Sequence, residues 1–126
     1  MTAHQDNPYK GREAVMFDFA VSARERGEHF FYVRIPGNIG PIERGDRYED
    51  PLQKTLKRYE AGWVAGGGSQ LGEGNLVEFC GIDVFTGDRD GCLQILCDEL
   101  RRLNAPVGTV VEEYLPARVE HSPFNE

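Results

Sequence analysis

Apolar and polar positions change period several times along the chain, and each change predicts an element. His29 to Ile35 is aromatic or β-branched at Phe30, Phe31, Tyr32, Val33 and Ile35 and stops at Pro36-Gly37, which predicts a core strand. Leu52, Leu56 and Tyr59 then fall on one helical face behind Asp50-Pro51, an N-cap followed by a residue suited to the first turn. Gly62 suits a left-handed stop. Trp63–Leu71 reads as a strand weakened by Gly66, Gly67 and Gly68. Gly72-Glu73-Gly74-Asn75 has turn chemistry, and Leu76–Phe85 reads as a long strand, so the pair predicts a β-hairpin. Asp88 or Asp90 opens a second helix whose stripe is Leu93, Leu96, Cys97, Leu100 and Leu103, and Asn104 and Pro106 close it. Gly108–Leu115 is a last strand, and Pro116 begins a polar tail.

Two stretches resist a single period. Ala14 to Ala23 alternates at Val15, Phe17, Phe19 and Val21 as a strand does, while Met16, Phe19, Ala20 and Ala23 recur at helical spacing. A strand or extended segment is the preferred expectation. Pro36 to Asp50, with its glycines, prolines and charges, reads as a long loop of the kind that often carries function.

From residue 29 the order is β-α-β-β-α-β, the ferredoxin-like plan of an α+β two-layer sandwich with an extra N-terminal segment. Right-handed crossovers place the first and third strands at the centre of the sheet. The glycine-rich strand and Glu112-Glu113 then fall on the edges, where charge and irregularity discourage aggregation. One domain is expected over residues 1–126, with a core at about 29–115, since 126 residues bury a core without disulfides or metals.

Composition narrows the function classes. Fourteen basic residues against 21 acids give a formal charge of −7, which disfavours nucleic acid and anionic membranes and suits a basic protein partner. No apolar run approaches the roughly 20 residues of a membrane span, and the polar start lacks a signal-peptide pattern, so a cytoplasmic location is expected. Cys80, Cys92 and Cys97 sit within apolar patterns and read as reduced core thiols.

No constellation carries recognisable chemistry, so no enzyme activity, cofactor or metal site is expected. Gly66 to Gly72 lacks the lysine and following helix of a phosphate loop and fails the dinucleotide spacing at Leu71. It reads instead as a bulged edge strand, or as an edge where missing side chains admit another backbone. His4, His29 and His121 accompany no nucleophile pattern. Asp50, Asp88 and Asp90 are explained as helix caps. Glu43, Asp46 and Glu49 cluster on the expected loop, either as a solvated surface or as an acidic patch for a cationic partner. Asp83 is the odd residue, a carboxylate inside an apolar strand. It alternates with Val77, Phe79 and Phe85, and Arg34 on the first strand is its expected partner. An aromatic face of Phe30, Tyr32, Phe79 and Phe85 does not carry the RNA-recognition motif. It is expected to be covered by Ala14–Ala23 or by a second subunit.

Four islands together resemble small bacterial proteins, some of them similar to the immunity partners of secreted toxins. They are Arg47-Tyr48-Glu49-Asp50-Pro51-Leu52, Gly66-Gly67-Gly68-Ser69, Cys80-Gly81-Ile82-Asp83-Val84 and Asn104-Ala105-Pro106-Val107-Gly108-Thr109, within residues 29–115. The resemblance implies a non-enzymatic single-domain inhibitor and carries over no catalytic residues. The expected partner-binding set is Glu43, Asp46, Glu49, Gly66, Gly67, Gly68 and Ser69, acting on a basic protein such as a toxin domain. The alternative is a dimeric small-molecule-sensing or regulatory module that associates through its sheet face.

Overall fold

The computed structural model describes residues 6–71 and 77–124. Among the described residues ten elements follow one another: α1 (Arg12–Glu25), β1 (His29–Pro36), α2 (Pro41–Arg44), a π-helical turn (Gly45–Glu49), α3 (Asp50–Arg58), β2 (Trp63–Leu71), β3 (Val77–Thr86), α4 (Arg89–Arg102), β4 (Val110–Glu113) and β5 (Val119–His121). The five strands form one antiparallel sheet in the order β2-β3-β1-β4-β5. The α+β class expected from the sequence holds, and β1 and β3 are neighbours inside the sheet.

Alternation along β1 and β3 supplies both sides of the sheet. Phe31, Val33 and Ile35 stand opposite Val84, Ile82 and Cys80, and all six join Leu52, Leu56, Cys92, Leu96 and Leu100 in a core beneath α3 and α4. Burial pushes the Cys92 thiol up to about 12 and raises those of Cys80 and Cys97, so the three behave as apolar filler. The Asp88 carboxylate accepts from Gly91 N–H at 3.1 Å and caps α4, as its sequence position predicts. Asn104, in the left-handed region at φ 58°, ends that helix.

Several expectations are corrected. Ala14–Ala23 is helix, not strand. Met16, Phe17, Ala20 and Ala23 bury one stripe of α1 against Phe30, Tyr32, Tyr114 and Leu115. Phe19 adds an edge contact to Phe30 at 5.6 Å between ring centroids. Apolar residues on more than one side of this helix produced the strand-like alternation. The aromatic sheet face is therefore covered by the chain's own first helix, and that face was the basis for expecting a sheet-to-sheet dimer.

The expected loop Pro36–Asp50 is largely helical. Pro41 starts α2, and the π turn brings Tyr48 to complete burial before the chain runs straight into α3. Asp50 lies inside that continuous helix, so it caps nothing. Glu60, at φ 52°, makes the left-handed exit in place of Gly62, with Ala61 N–H donating to the Leu56 carbonyl at 2.9 Å. Gly62 is still required, because a Cβ there would lie 2.6 Å from the Phe85 carbonyl oxygen.

The residues after Pro116 do not form only a tail. β5 pairs Val111, Glu112 and Glu113 with His121, Glu120 and Val119, so β4 is interior and Glu112-Glu113 are not on an edge. The expected turn at Gly72–Asn75 lies outside the described residues, although β2 and β3 are paired as its hairpin arms. Among the described residues no helix is long and apolar enough to cross a membrane.

Both faces of the sheet carry core, so each should be sensitive. Leu100→Ala beneath α4 is expected to lose about 2–5 kcal/mol and Phe17→Ala on α1 about 3–5 kcal/mol in denaturant unfolding. A Phe17→Ala variant as stable as the parent would show that α1 does not dock.

Candidate partner-binding edge

Glu112 and Glu113 are the most heavily engaged charges, and their alternation on β4 sends them to opposite faces. Glu112, with no exposed side-chain surface, sits on the α1 side. Arg12 donates to its two oxygens at 3.0 and 3.4 Å, and Tyr114 Oη–H donates at 2.6 Å. Arg34 and Arg118 each approach it at 3.3 Å. Glu113 faces the other way. Arg89 donates to it from Nε at 2.5 Å and from a terminal nitrogen at 2.7 Å. His121 Nε2 is hydrogen-bonded to it at 2.9 Å, while His29 Nε2 lies 2.6 Å away without hydrogen-bond alignment. Burial alone would raise the Glu113 carboxyl, but the Arg89 and His121 hydrogen bonds outweigh it and pull the group down to about 2.

These two glutamates were read from sequence as edge charges. The signals that pointed inward were their place between Val111 and Tyr114 and the excess of eleven arginines over three lysines. Arginine is the cation that pairs with buried carboxylates. Arg34 is used here, with Glu120 also at 3.5 Å, so it does not partner Asp83 as the sequence suggested.

The sheet's two edges differ sharply. β5 is three residues long and carries Glu120 and His121. Short length and charge keep such an edge from pairing with other chains. β2 is nine residues, Trp63 to Leu71, with no charged side chain and no proline. Its irregularity is confined to register shifts at Val64/Gly66 and Gln70/Leu71. Trp63 and Leu71 near its ends remain 39 % and 55 % exposed.

The expected partner-binding residues meet this edge in part. Arg44 Nε donates to Glu49 at 2.7 Å, and another Arg44 nitrogen donates to Ser69 Oγ at 3.1 Å. This ion pair lies over Gly67. A Cβ there would collide with the Glu49 carboxylate and come within 2.6 Å of the Gly81 carbonyl oxygen, so only glycine fits. Glu49, Gly67 and Ser69 are thus gathered by Arg44, which sequence reasoning had not singled out. Glu43 is exposed and engaged by Arg47 at 3.3 Å. Asp46 is exposed on the π turn. The acidic patch is therefore interleaved with Arg44 and Arg47.

The opposite face of β2 is bare. A Cβ on Gly68 would meet nothing within 4 Å, and one on Gly66 only Asp83 Oδ2 at 3.8 Å. Asp83, directly across from Gly66 on β3, has no hydrogen bond or ion pair among the described residues. Burial raises its carboxyl, as does the nearby charge of Glu49, against the opposing effect of Arg44.

Comparison with family models, with curated proteins and with solved structures finds no match for this chain.

A cleft of about 520 Å³ lies between α3 and α4, with Lys54, Arg58, Tyr59, Ile95 and Arg102 among its walls. Its buried acid, Glu99, is held by Arg102, whose hydrogen bond lowers the carboxyl below its ordinary range. No group of His, Cys, Asp and Glu among the described residues is arranged to hold a metal ion.

The Glu113 shift sets a pH dependence. A carboxyl held near 2 in the fold, against an ordinary value of 4.5, adds stability that is complete above about pH 4.5 and disappears as pH falls towards 2. Glu113→Gln should lower stability at pH 7 and flatten that acid limb in urea unfolding measured from pH 7 to pH 2. An unchanged acid limb would remove Glu113 as its source.

Proposed function

We propose that this chain is a non-enzymatic, cytoplasmic binding protein that engages a basic protein partner along the open edge of β2, in the manner of an immunity-type inhibitor. The observation that carries this reading is the contrast between edges. A nine-residue strand without charge or proline is the kind of edge to which another strand adds by main-chain hydrogen bonding. The −7 charge supports a basic partner by steering encounter. Glu43 and Asp46, exposed beside this edge on the helical segment that also supplies Arg44 and Glu49, fit the same role.

The fold is proposed to be the ferredoxin-like plan, built from β1, α3, β2, β3, α4 and β4. The run β2-β3-β1-β4 supports this, with β5 and α1 as additions to it. Inhibition would be occlusion: the added strand positions the partner so that its working surface is covered.

Gly68→Lys separates binding from folding, because the site is open and its backbone is not in the left-handed region. Affinity capture from source cells is expected to retain a basic protein on the parent chain and to lose it on Gly68→Lys. The Glu43→Lys, Asp46→Lys double variant should still bind, but with slower association and weaker salt dependence. The same proteins retained by parent and Gly68→Lys would reject the β2 edge.

A further inference from the structure

We propose that β2 receives an extended basic polypeptide segment whose lysine or arginine crosses the gap left by Gly66 and Gly68 and pairs with Asp83. This inference rests on the β2-edge reading and adds the chemistry of its occupant.

Three observations converge on it. The acids at the β4 side of the sheet are matched by cations: Glu112 by Arg12, Arg34 and Arg118, and Glu113 by Arg89, with His121 hydrogen-bonded to it. Asp83 is half-buried on the second strand of the sheet and has no such partner among the described residues. The Arg44 charge that acts on it is already paired with Glu49, and a half-buried carboxylate without a salt bridge of its own carries a desolvation cost that an incoming positive group would relieve.

The route to it is also open. Strand β2 lies between Asp83 and solvent, and at Gly66 and Gly68 it has no side chain to block the way. The asymmetry across β2 matters here. On the face covered by α3 and α4 the strand is lidded by the Arg44–Glu49 pair over Gly67, so a partner side chain cannot cross there. On the Asp83 face, Gly66 and Gly68 make a trough. An added strand would lie about 4.8 Å outside β2 and hence about 9.6 Å from β3, a gap that the long stem of lysine or arginine reaching in and the Asp83 side chain reaching back close together.

The rims of this face complete the fit. Trp63 stacks on Phe85 at 6.1 Å between centroids and stays partly exposed, giving an apolar shelf for the stem. The nearby Arg12 and Arg26 guanidiniums lie over Phe79 and Phe85 at 5.3 and 5.2 Å. These rings are thereby committed, and Asp83 has no salt bridge on that face among the described residues. Glycine at three successive positions is thus given two separate tasks: Gly67 accommodates an internal ion pair, and its neighbours expose a carboxylate.

The test uses a display library of random nonapeptides selected against the full chain, with Gly68→Lys and Asp83→Asn prepared alongside. Asp83→Asn removes the charge without removing a hydrogen bond of the fold. The expected peptides carry lysine or arginine at one fixed position between β-forming residues. Asp83→Asn should weaken them by about tenfold or more, as loss of a charge-assisted pair does, and Gly68→Lys should abolish binding. Peptides rejected by Gly68→Lys but lacking a fixed base, or bound equally by Asp83→Asn, would overturn the Asp83 pairing and leave the edge reading standing. A library that yields no peptide sensitive to Gly68→Lys would overturn both.

Discussion

Two adjacent glutamates on an interior strand tie this molecule together. Their side chains leave β4 in opposite directions, and neither can be left unmatched inside the protein. Glu112 draws cations from α1, from β1 and from the segment before β5. Glu113 draws Arg89 from the N-terminal turn of α4 and a hydrogen bond from His121 of β5, with His29 of β1 close by. Every element that must be positioned against β4 contributes a positive or polar group to one of these carboxylates. Each carboxylate is satisfied only when groups from several elements meet around it, so the clusters specify the arrangement even where their net contribution to stability is modest.

That internal neutralisation shapes the surface. Four of the eleven arginines are taken up by these two carboxylates, while β2 itself carries no charged side chain. At the other end of the sheet, β5 closes the edge with three residues and two polar side chains. The molecule therefore has one protected edge and one open one. Asp83, on the open side, has no salt bridge among the described residues to compare with those of Glu112 and Glu113.

Much of the fold was legible in the sequence because local signals agreed with the tertiary outcome. His29–Ile35, the Trp63–Phe85 pair and the Leu93–Leu103 stripe have the periods their elements require, and Asp88 caps α4 as its position demands. α1 was misread because apolar residues on several sides of a docked helix imitate alternation; its aromatic target lies far away in sequence. The segment after Pro36 was misread because glycines and prolines usually break structure, yet buried Tyr48 holds a π turn that carries the helix through Gly45. β5 and the buried state of Glu112 and Glu113 depend on partners as much as 100 residues away, such as Arg12, and no local pattern encodes them. At the candidate site the glycines and Glu49 were visible as unusual residues. What joins them, Arg44 over Gly67, was not.

Native-state hydrogen exchange on the free chain tests the central claim most directly, since it measures how tightly each strand is held. If β4 is the tied interior strand and β2 the open edge, β4 amides exchange only through global unfolding, whereas the outward-facing amides of β2 exchange far faster. Equal protection of β2 and β4 in the unliganded monomer would contradict it.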